Sequence, residues 1–319
     1  AVSIECWHDW LLKILPGVKH VWLDFSNAKK NKEHLRTVSD LKFSLNDVSP
    51  YIAKQRMVKD QLGVGYLRKA VDISCQAHLF VMQNYKKDWH ESGVEANFFK
   101  VGRSLFAKYL AYTTIAAAGD RACVLHYIKN NQKINEKDLV LLDAGFEYNG
   151  YAADITRTFP AKGRFSQQQK DLYNLVLESQ QAAIEMIKPN ADWQDLEDKV
   201  RDVLLAGCLE LGVFSDEALK LKSKDLLRLV FPHGLGHHLG LDVHDSCLDG
   251  RFNYLLKEGN VITIEPGLYL NKNCQYINEK WQGMGIRIED DILVTAKGFE
   301  VLSAKLVKTV DEIESVMSR

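Results

Sequence analysis

Four carboxylates stand in this sequence where an apolar strand would not want them. Asp143 follows the run Leu139-Val140-Leu141-Leu142, and Asp154 interrupts Ala152-Ala153 and Ile155. Glu265 follows Val261-Ile262-Thr263-Ile264, and Glu289 follows Gly285-Ile286-Arg287-Ile288. An ionised carboxylate in such a setting is costly unless it is paired or binds metal. For either aspartate alone, a surface acid beside a turn is the better reading. Arg287 lies two residues before Glu289, on the same face of a strand. Holding a carboxylate in place and forming a plain structural salt bridge are equally good readings of it.

The histidines are clustered as well. His233, His237, His238 and His244, four of the chain's ten, fall within twelve residues and are interleaved with Gly234, Gly236 and Gly240. One buried histidine is usually a hydrogen-bonded core residue. Four among glycines are different, because glycine lets the backbone approach a ligand closely. Imidazole binds divalent metals or donates to developing negative charge. The spacing is not His-Glu-x-x-His, so the zincin reading fails. Four acids and one histidine form a hard-ligand set that suits Mn²⁺, Co²⁺ or Zn²⁺ and leaves soft thiols unused. Two ions ~3.5–4 Å apart need bridging carboxylates, which this set can provide.

These residues need elements to place them. Asn149-Gly150, flanked by apolar runs, is a strong two-residue hairpin turn. That turn sets Asp143 opposite the neighbourhood of Thr156. Asp154 is then a diagonal neighbour on the same face, within ~7–8 Å. Helices are expected over 57–85, weakened at Gly63 and Gly65, and over 95–110, with 111–118 extended. Another begins at Ser166, where Gln169 completes a capping box. The next runs from Asp192 to Leu211 and stops at Gly212, and the last covers Val310 to Met317. VITIEPGLYL and GIRIEDDILVT are strand candidates. Helix, helix, hairpin, then helix, helix, strand pair suggests two similar halves facing each other.

The front of the chain is different. A short amphipathic stretch, Trp7 to Ile14, stops at Pro16-Gly17, and a strand-like run His20 to Phe25 precedes the polar SNAKKNKEH. Such a segment is too small for a core of its own. Residues 1–47 are expected to be the end of a preceding domain, and 48–319 the main domain.

Composition narrows the class. The 319 residues are 46% hydrophobic and 26% charged, with formal net charge −1, so nothing global recruits nucleic acid or an anionic membrane. No apolar run approaches the ~20 residues that span a bilayer, and no targeting signal is read at the front. The six cysteines (Cys6, Cys75, Cys123, Cys208, Cys247 and Cys274) are scattered, without a CxxC pair. That suits reduced thiols and a cytoplasmic protein.

DAG-x₈-D, HGxGHxLGLDVHD, TIEPGLY and GIRIEDD, in this order, resemble the pita-bread metallopeptidases. This family includes aminopeptidase P, prolidase, methionine aminopeptidase and creatinase. The resemblance covers roughly 50–319. CVLHYIKN, ADITRTFPAKGRFSQQQKDLYNLVLES and ILVTAKG are most similar to the bacterial aminopeptidase P group. It implies an α+β fold of two pseudo-symmetric halves with a curved antiparallel sheet. Asp143 would chelate one of two divalent ions, Mn²⁺ being the expected one. His237 and Glu265 would bind the other, and Asp154 and Glu289 would bridge them. A hydroxide between the metals would be the nucleophile, with Glu265 moving its proton. His126, His233 and His244 would line the cleft, with His244 reaching the scissile carbonyl, and Tyr112 and Arg287 would stand just outside the ligands. There are three departures: Gly236, where many aminopeptidase P sequences have Ser; Ala116-Ala117-Ala118 in place of a Gly/Ser-rich run; and, the largest, a front that is expected to hold only the remnant or C-terminal end of the creatinase-like N-terminal domain of aminopeptidase P and prolidase.

The implied activity is hydrolysis of the bond between an N-terminal residue and a following proline, with such peptides as partners and a homo-oligomer possible. An X-Pro dipeptidase is the alternative within the enzyme class. A non-catalytic peptide-binding module on the same fold is the alternative outside it. Relatives of that kind have lost ligands, whereas all five positions are intact here.

Overall fold

The structure, a computed structural model, describes residues 10, 13–15, 17–24, 44–247 and 255–318. Most of the stretch from Trp7, together with Phe25, the polar run that follows it and Cys6, lies outside them. At the front, β1 (His20–Leu23) and β2 (Ser44–Asp47) pair in parallel.

The helix expected over 57–85 forms as one helix that starts a turn later, α2 (Gln61–Asn84), and a separate short helix, α1 (Ser49–Met57), precedes it. Asp60 divides them. Its backbone is extended, and its carboxylate accepts from the Gly63 N–H at 2.7 Å, so it caps α2. The next helix, α3 (Glu91–Ser104), starts and ends before the expected 95–110. The chain reverses there through Phe106 at φ 69°, and the Ala107 N–H returns to the Gly102 carbonyl at 3.0 Å. Two short strands, β3 (Tyr109–Leu110) and β4 (Ile115–Ala118), replace the single extended run.

The first hairpin is long and broken. It comprises β5 (Leu139–Asp143), β6 (Phe146–Tyr148), β7 (Tyr151–Ala152) and β8 (Thr156–Pro160). Asn149 and Gly150 turn it with φ of 50° and 86°, the geometry of a tight primed turn. Asp143 pairs with Thr156, the expected register. However, both arms lose regular pairing at the same level, at 144–145 and at 153–155. Gly145 permits this, because a Cβ there would collide with the Ala153 carbonyl. Asp154 therefore sits in a break and not within a strand.

The second half repeats the plan. Helix α4 (Gln167–Ile184) carries the expected capping box, and α5 (Trp193–Glu210) is capped by Asp192 and followed by Gly212 at φ 64°. After α6 (Ser223–Arg228) come β9 (Val261–Ile264), β10 (Gly267–Leu270), β11 (Met284–Arg287), β12 (Asp290–Thr295) and β13 (Gly298–Val301). VITIEPGLYL and GIRIEDDILVT are thus each two strands, broken at 265–266 and 288–289. Helix α7 (Val310–Met317) closes the chain with a Thr309–Glu312 capping box. The sheets run β4-β5-β8 with β3-β6-β7 in one half, and β13-β12-β9 with β10-β11 in the other. All these pairings are antiparallel. Helices α2 and α3 pack together, as do α4 and α5, each pair beside its own sheets. The two similar halves are present, and an acid stands at or beside each of the four breaks.

Behind the breaks lies a buried polar knot. Arg157, fully buried on β8, donates to the Glu289 carbonyl at 2.7 Å and to the Asp290 carboxylate at 2.7 Å. Asp290 also accepts from Ser303 and Lys308, which with Arg157 hold it ionised against the cost of burial. Removing one partner of a buried pair leaves a charge uncompensated. Arg157→Met is therefore expected to lower unfolding free energy by ~3–5 kcal/mol, read by chemical denaturation. A change under ~1 kcal/mol would mean that Lys308 and the neutral donors Ser303 and Gln180 satisfy Asp290 without Arg157.

Candidate active site

The four breaks open on one cavity of about 660 Å³. Asp143, Asp154, His237, Glu265 and Glu289 all line it, and so do His126, His233, His244, Tyr112 and Arg287. These ten residues reach the same space, whereas His238 is buried outside the cavity lining. The donors are not equally close. Asp154, His237 and Glu289 offer ligand atoms that all lie within 4.8 Å of one another. His237 Nε2 is 3.2 Å from Asp154 Oδ2 and 3.6 Å from Glu265 Oε1. Asp143 is turned towards protein donors. The Tyr112 hydroxyl donates to one oxygen at 2.5 Å, and the Arg287 guanidinium donates to the other.

Backbone pairing explains these positions. The glycine-rich segment runs beside β9. The Thr263 N–H donates to the His237 carbonyl at 2.8 Å, and the Glu265 N–H to the Leu235 carbonyl at 2.9 Å. Gly236 permits so close an approach here, since in this backbone a Cβ would run into the Thr263 carbonyl. His237 Nδ1 donates to the His238 carbonyl at 3.0 Å, which leaves Nε2 facing the acids. A backbone acceptor on one ring nitrogen is the usual way to aim the other at a metal. Glu289 ties the halves together. Its N–H donates to the Thr156 carbonyl at 3.1 Å, and its carboxylate accepts from the Thr156 hydroxyl at 2.7 Å.

The electrostatics ask for a cation. Burial, then repulsion from Asp154, Glu265 and Asp143, pushes the Glu289 carboxyl well above the usual carboxylate range. Burial raises Asp143 too, against the pull of Arg287. Burial lifts Glu265 to about 7, with His237 and Arg287 offsetting only part of it. At His237, burial is outweighed by the Asp154 hydrogen bond and the charges of Asp154 and Glu265, so the imidazole rises to about 9. Arg287 and His237 offset only part of this crowding of acids. Divalent ions would satisfy the carboxylates. The donor set therefore fits the metals that its chemistry implies.

The remaining histidines divide. His233 Nδ1 donates to the Gly234 carbonyl at 2.8 Å, and the Tyr269 hydroxyl donates to its Nε2 at 2.8 Å. Burial lowers it to about 4, so it is a neutral wall with both nitrogens engaged. The His244 ring stacks near His237, 4.2 Å between centroids, and burial lowers its proton affinity. Arg287 fills both roles read for it. It pairs with Asp143, and it also donates to Thr156 Oγ1 at 3.2 Å and to the Tyr269 oxygen at 2.9 Å.

Three supporting residues were not singled out from sequence. Tyr269 lies inside the TIEPGLY run, which was its only signal. Thr156 entered only as the register partner of Asp143. Gln180 is buried on α4, and its amide donates to the Ile264 and Ile288 carbonyls at 3.0 and 3.2 Å. It thereby holds the residues just before Glu265 and Glu289. A glutamine on the apolar face of an amphipathic helix was its one trace in the sequence.

Comparison with known proteins adds the lineage. Residues 65–296 match metallopeptidase family M24. The chain is 38% identical to an Xaa-Pro aminopeptidase of Escherichia coli over 272 residues, 85% of this chain and 62% of that protein. It is 36% identical to the Xaa-Pro aminopeptidase of Haemophilus influenzae, covering all of this chain and 74% of that one. The chain thus spans less than two thirds of the Escherichia coli relative. The solved structure of aminopeptidase PepP from Pseudomonas aeruginosa superposes with a TM-score of 0.89 at 34% identity, covering all of this chain and 75% of that one. A zinc-substituted Escherichia coli aminopeptidase P in complex with product matches equally, with TM-score 0.89 at 34% identity and the same coverage. The fold is the pita-bread fold.

Proposed function

Because this chain belongs to metallopeptidase family M24, we propose that it is an aminopeptidase that cleaves between an N-terminal residue and a following proline. The observation that carries this reading is the convergence of five hard donors from four hairpin breaks on one cavity, with His126, His233 and His244 beside them. The relatives named as Xaa-Pro aminopeptidases support the proline specificity.

Asp143, Asp154, His237, Glu265 and Glu289 would hold two divalent ions, Asp154 and Glu289 being shared. Mn²⁺ is our choice, and Co²⁺ or Zn²⁺ suits the same donors. When bound, the ions supply an activated water and a Lewis acid for the carbonyl. Glu265 takes and returns the proton of the attacking water. His244 donates to the scissile carbonyl oxygen as negative charge develops there. Arg287 and Tyr112 keep Asp143 aimed into the cavity. Proline offers no N–H, so its recognition rests on shape. The apolar lining of Ile115, Leu125, Ile128 and Val243 supplies it. Among the described residues no helix is long and apolar enough to cross a membrane. Cys75, Cys123, Cys208, Cys247 and Cys274 carry free thiols, which suits the cytoplasm we propose.

The test compares three peptides with the Mn²⁺-loaded chain. X-Pro-Y should be cut faster than X-Pro, and X-Ala-Y poorly. The ratios matter more than the absolute rates. Equal cleavage of X-Ala-Y and X-Pro-Y would defeat the proline assignment. A preference for X-Pro alone would make the chain a dipeptidase.

A further inference from the structure

Part of the cleft wall comes from the stretch between β4 and β5, which brings Leu125, His126 and Ile128 to the cavity. This stretch is mostly irregular. A short 3₁₀ turn covers Gly119–Cys123, and no strand follows until Leu139. His126 and Ile128 are exposed, so their own burial does little to hold them. Something else must fix their place.

That something is one carboxylate outside the cavity lining. Glu91, the first residue of α3, has a side chain with 0% exposure. Its Oε1 accepts from Arg121 Nε at 2.6 Å and from the Ala118 N–H at 3.1 Å. Its Oε2 accepts from the Tyr127 hydroxyl at 2.8 Å and from the Gln132 N–H at 2.9 Å. Four donors from both ends and the middle of the stretch thus meet on one group. Arg121 also donates to the Lys133 carbonyl at 3.0 Å, and the Glu91 N–H to the Gln132 carbonyl at 3.0 Å. A second pin stands alongside. Asn130, in the left-handed region at φ 45°, accepts from the Ala116 N–H at 2.9 Å and donates to the Thr114 carbonyl at 2.8 Å. Tyr127 is buried, while His126 and Ile128 on either side of it face out. The Tyr127–Glu91 bond therefore sets the direction of both its neighbours.

We propose that Glu91 is a positioning residue for the substrate side of the cleft, holding His126, Leu125 and Ile128 in place through Tyr127, Arg121 and the Ala118 and Gln132 amides. This rests on the peptidase reading for its effect on catalysis but not for the clasp itself. None of the five metal-ligand candidates lies in this stretch. Loosening the clasp should therefore weaken peptide recognition and spare metal binding. A merely structural role would lower both together.

Two variants test it. Tyr127→Phe removes one hydrogen bond and keeps the ring. Glu91→Gln removes the charge and turns an amide N–H towards donors. Each is assayed in three ways with the full chain: Mn²⁺ content by elemental analysis, backbone hydrogen exchange, and KM and kcat on X-Pro-Y. In Glu91→Gln the Ala118 and Gln132 amides should exchange at least ~10-fold faster, with the β5 and β9 amides unchanged. In both variants Mn²⁺ content should stay at the wild-type level. KM should rise ~10-fold in Tyr127→Phe, with a smaller change in kcat. Unchanged exchange at Ala118 and Gln132 would overturn the clasp, whatever the enzyme does. Faster exchange across the whole chain with falling metal content would show Glu91 to be a general stability residue and would also overturn the proposal. Should wild type cleave no X-Pro peptide, the function above fails. The ¹H–¹⁵N signals of the His126 ring then decide the positioning claim: broadening or doubling in Tyr127→Phe supports it, and a single unchanged signal refutes it.

Discussion

Replacing Asp154 with alanine is expected to empty the site of divalent metal and to lower peptide hydrolysis by ~10³-fold or more, the scale of losing metal-ion catalysis. Asp154 lies within 4.8 Å of both His237 and Glu289 through their ligand atoms, and its Oδ2 faces His237 Nε2 at 3.2 Å. Glu289 is the one other acid in that close group. If Asp154 is shared between two ions, its loss should remove both. His237→Ala, which takes away an unshared ligand, should reduce metal content without abolishing it. Elemental analysis of wild type and both variants after the same Mn²⁺ loading is the measurement. Full occupancy in Asp154→Ala would show that the residue is not a shared ligand. The fold should survive, because the Asp154 N–H is held separately by the Asp291 carboxylate at 3.2 Å. Removing one acid from a crowded, buried group also relieves repulsion on Glu289, Asp143 and Glu265.

Replacing His244 with alanine is expected to leave metal in place and to cut turnover by ~10²–10³-fold, the scale for one transition-state donor. Its ring lies beside His237, 4.2 Å between centroids, yet it is not among the three donors that lie close together. On the function proposed above, it reaches a substrate carbonyl without competing for the ions. The loss should appear mainly in kcat, because the hydrogen bond strengthens as charge develops on the oxygen. Metal release from His244→Ala would reverse our division between ligand and donor. A rise in KM with kcat intact would place the residue in ground-state binding instead.

Much of this site was legible in the sequence because metal chemistry restricts residue type. Carboxylates beside apolar runs at Asp143, Asp154, Glu265 and Glu289 are expensive, so they point to a ligand even without a fold. The Asn149-Gly150 turn carries its own register, and with it the Asp143–Thr156 pairing. The capping signals at Ser166, Asp192 and Gly212 are local, and they marked their helix ends correctly.

Boundaries set by packing were not legible. The division at Asp60 turns on one capping bond, and the early end of α3 on a left-handed Phe106. The four breaks are the larger case. Period-two apolar runs read as continuous strands through Asp154, Glu265 and Glu289, because strand pattern does not reveal where a ladder lets go. The gap at Asp154 depends on Gly145 meeting Ala153 across the hairpin, a contact between distant residues. Gln180, Arg157 and Glu91 escaped notice for the same reason. Each is a common polar residue whose side-chain partners, apart from the Thr156 carbonyl beside Arg157, lie 27 to 150 positions away. The sequence by itself determined which groups could bind metal, since ligand chemistry belongs to side-chain type. The tertiary structure alone decided which of them come close together and which is held by Arg287 and Tyr112, since those depend on distances that no local pattern encodes.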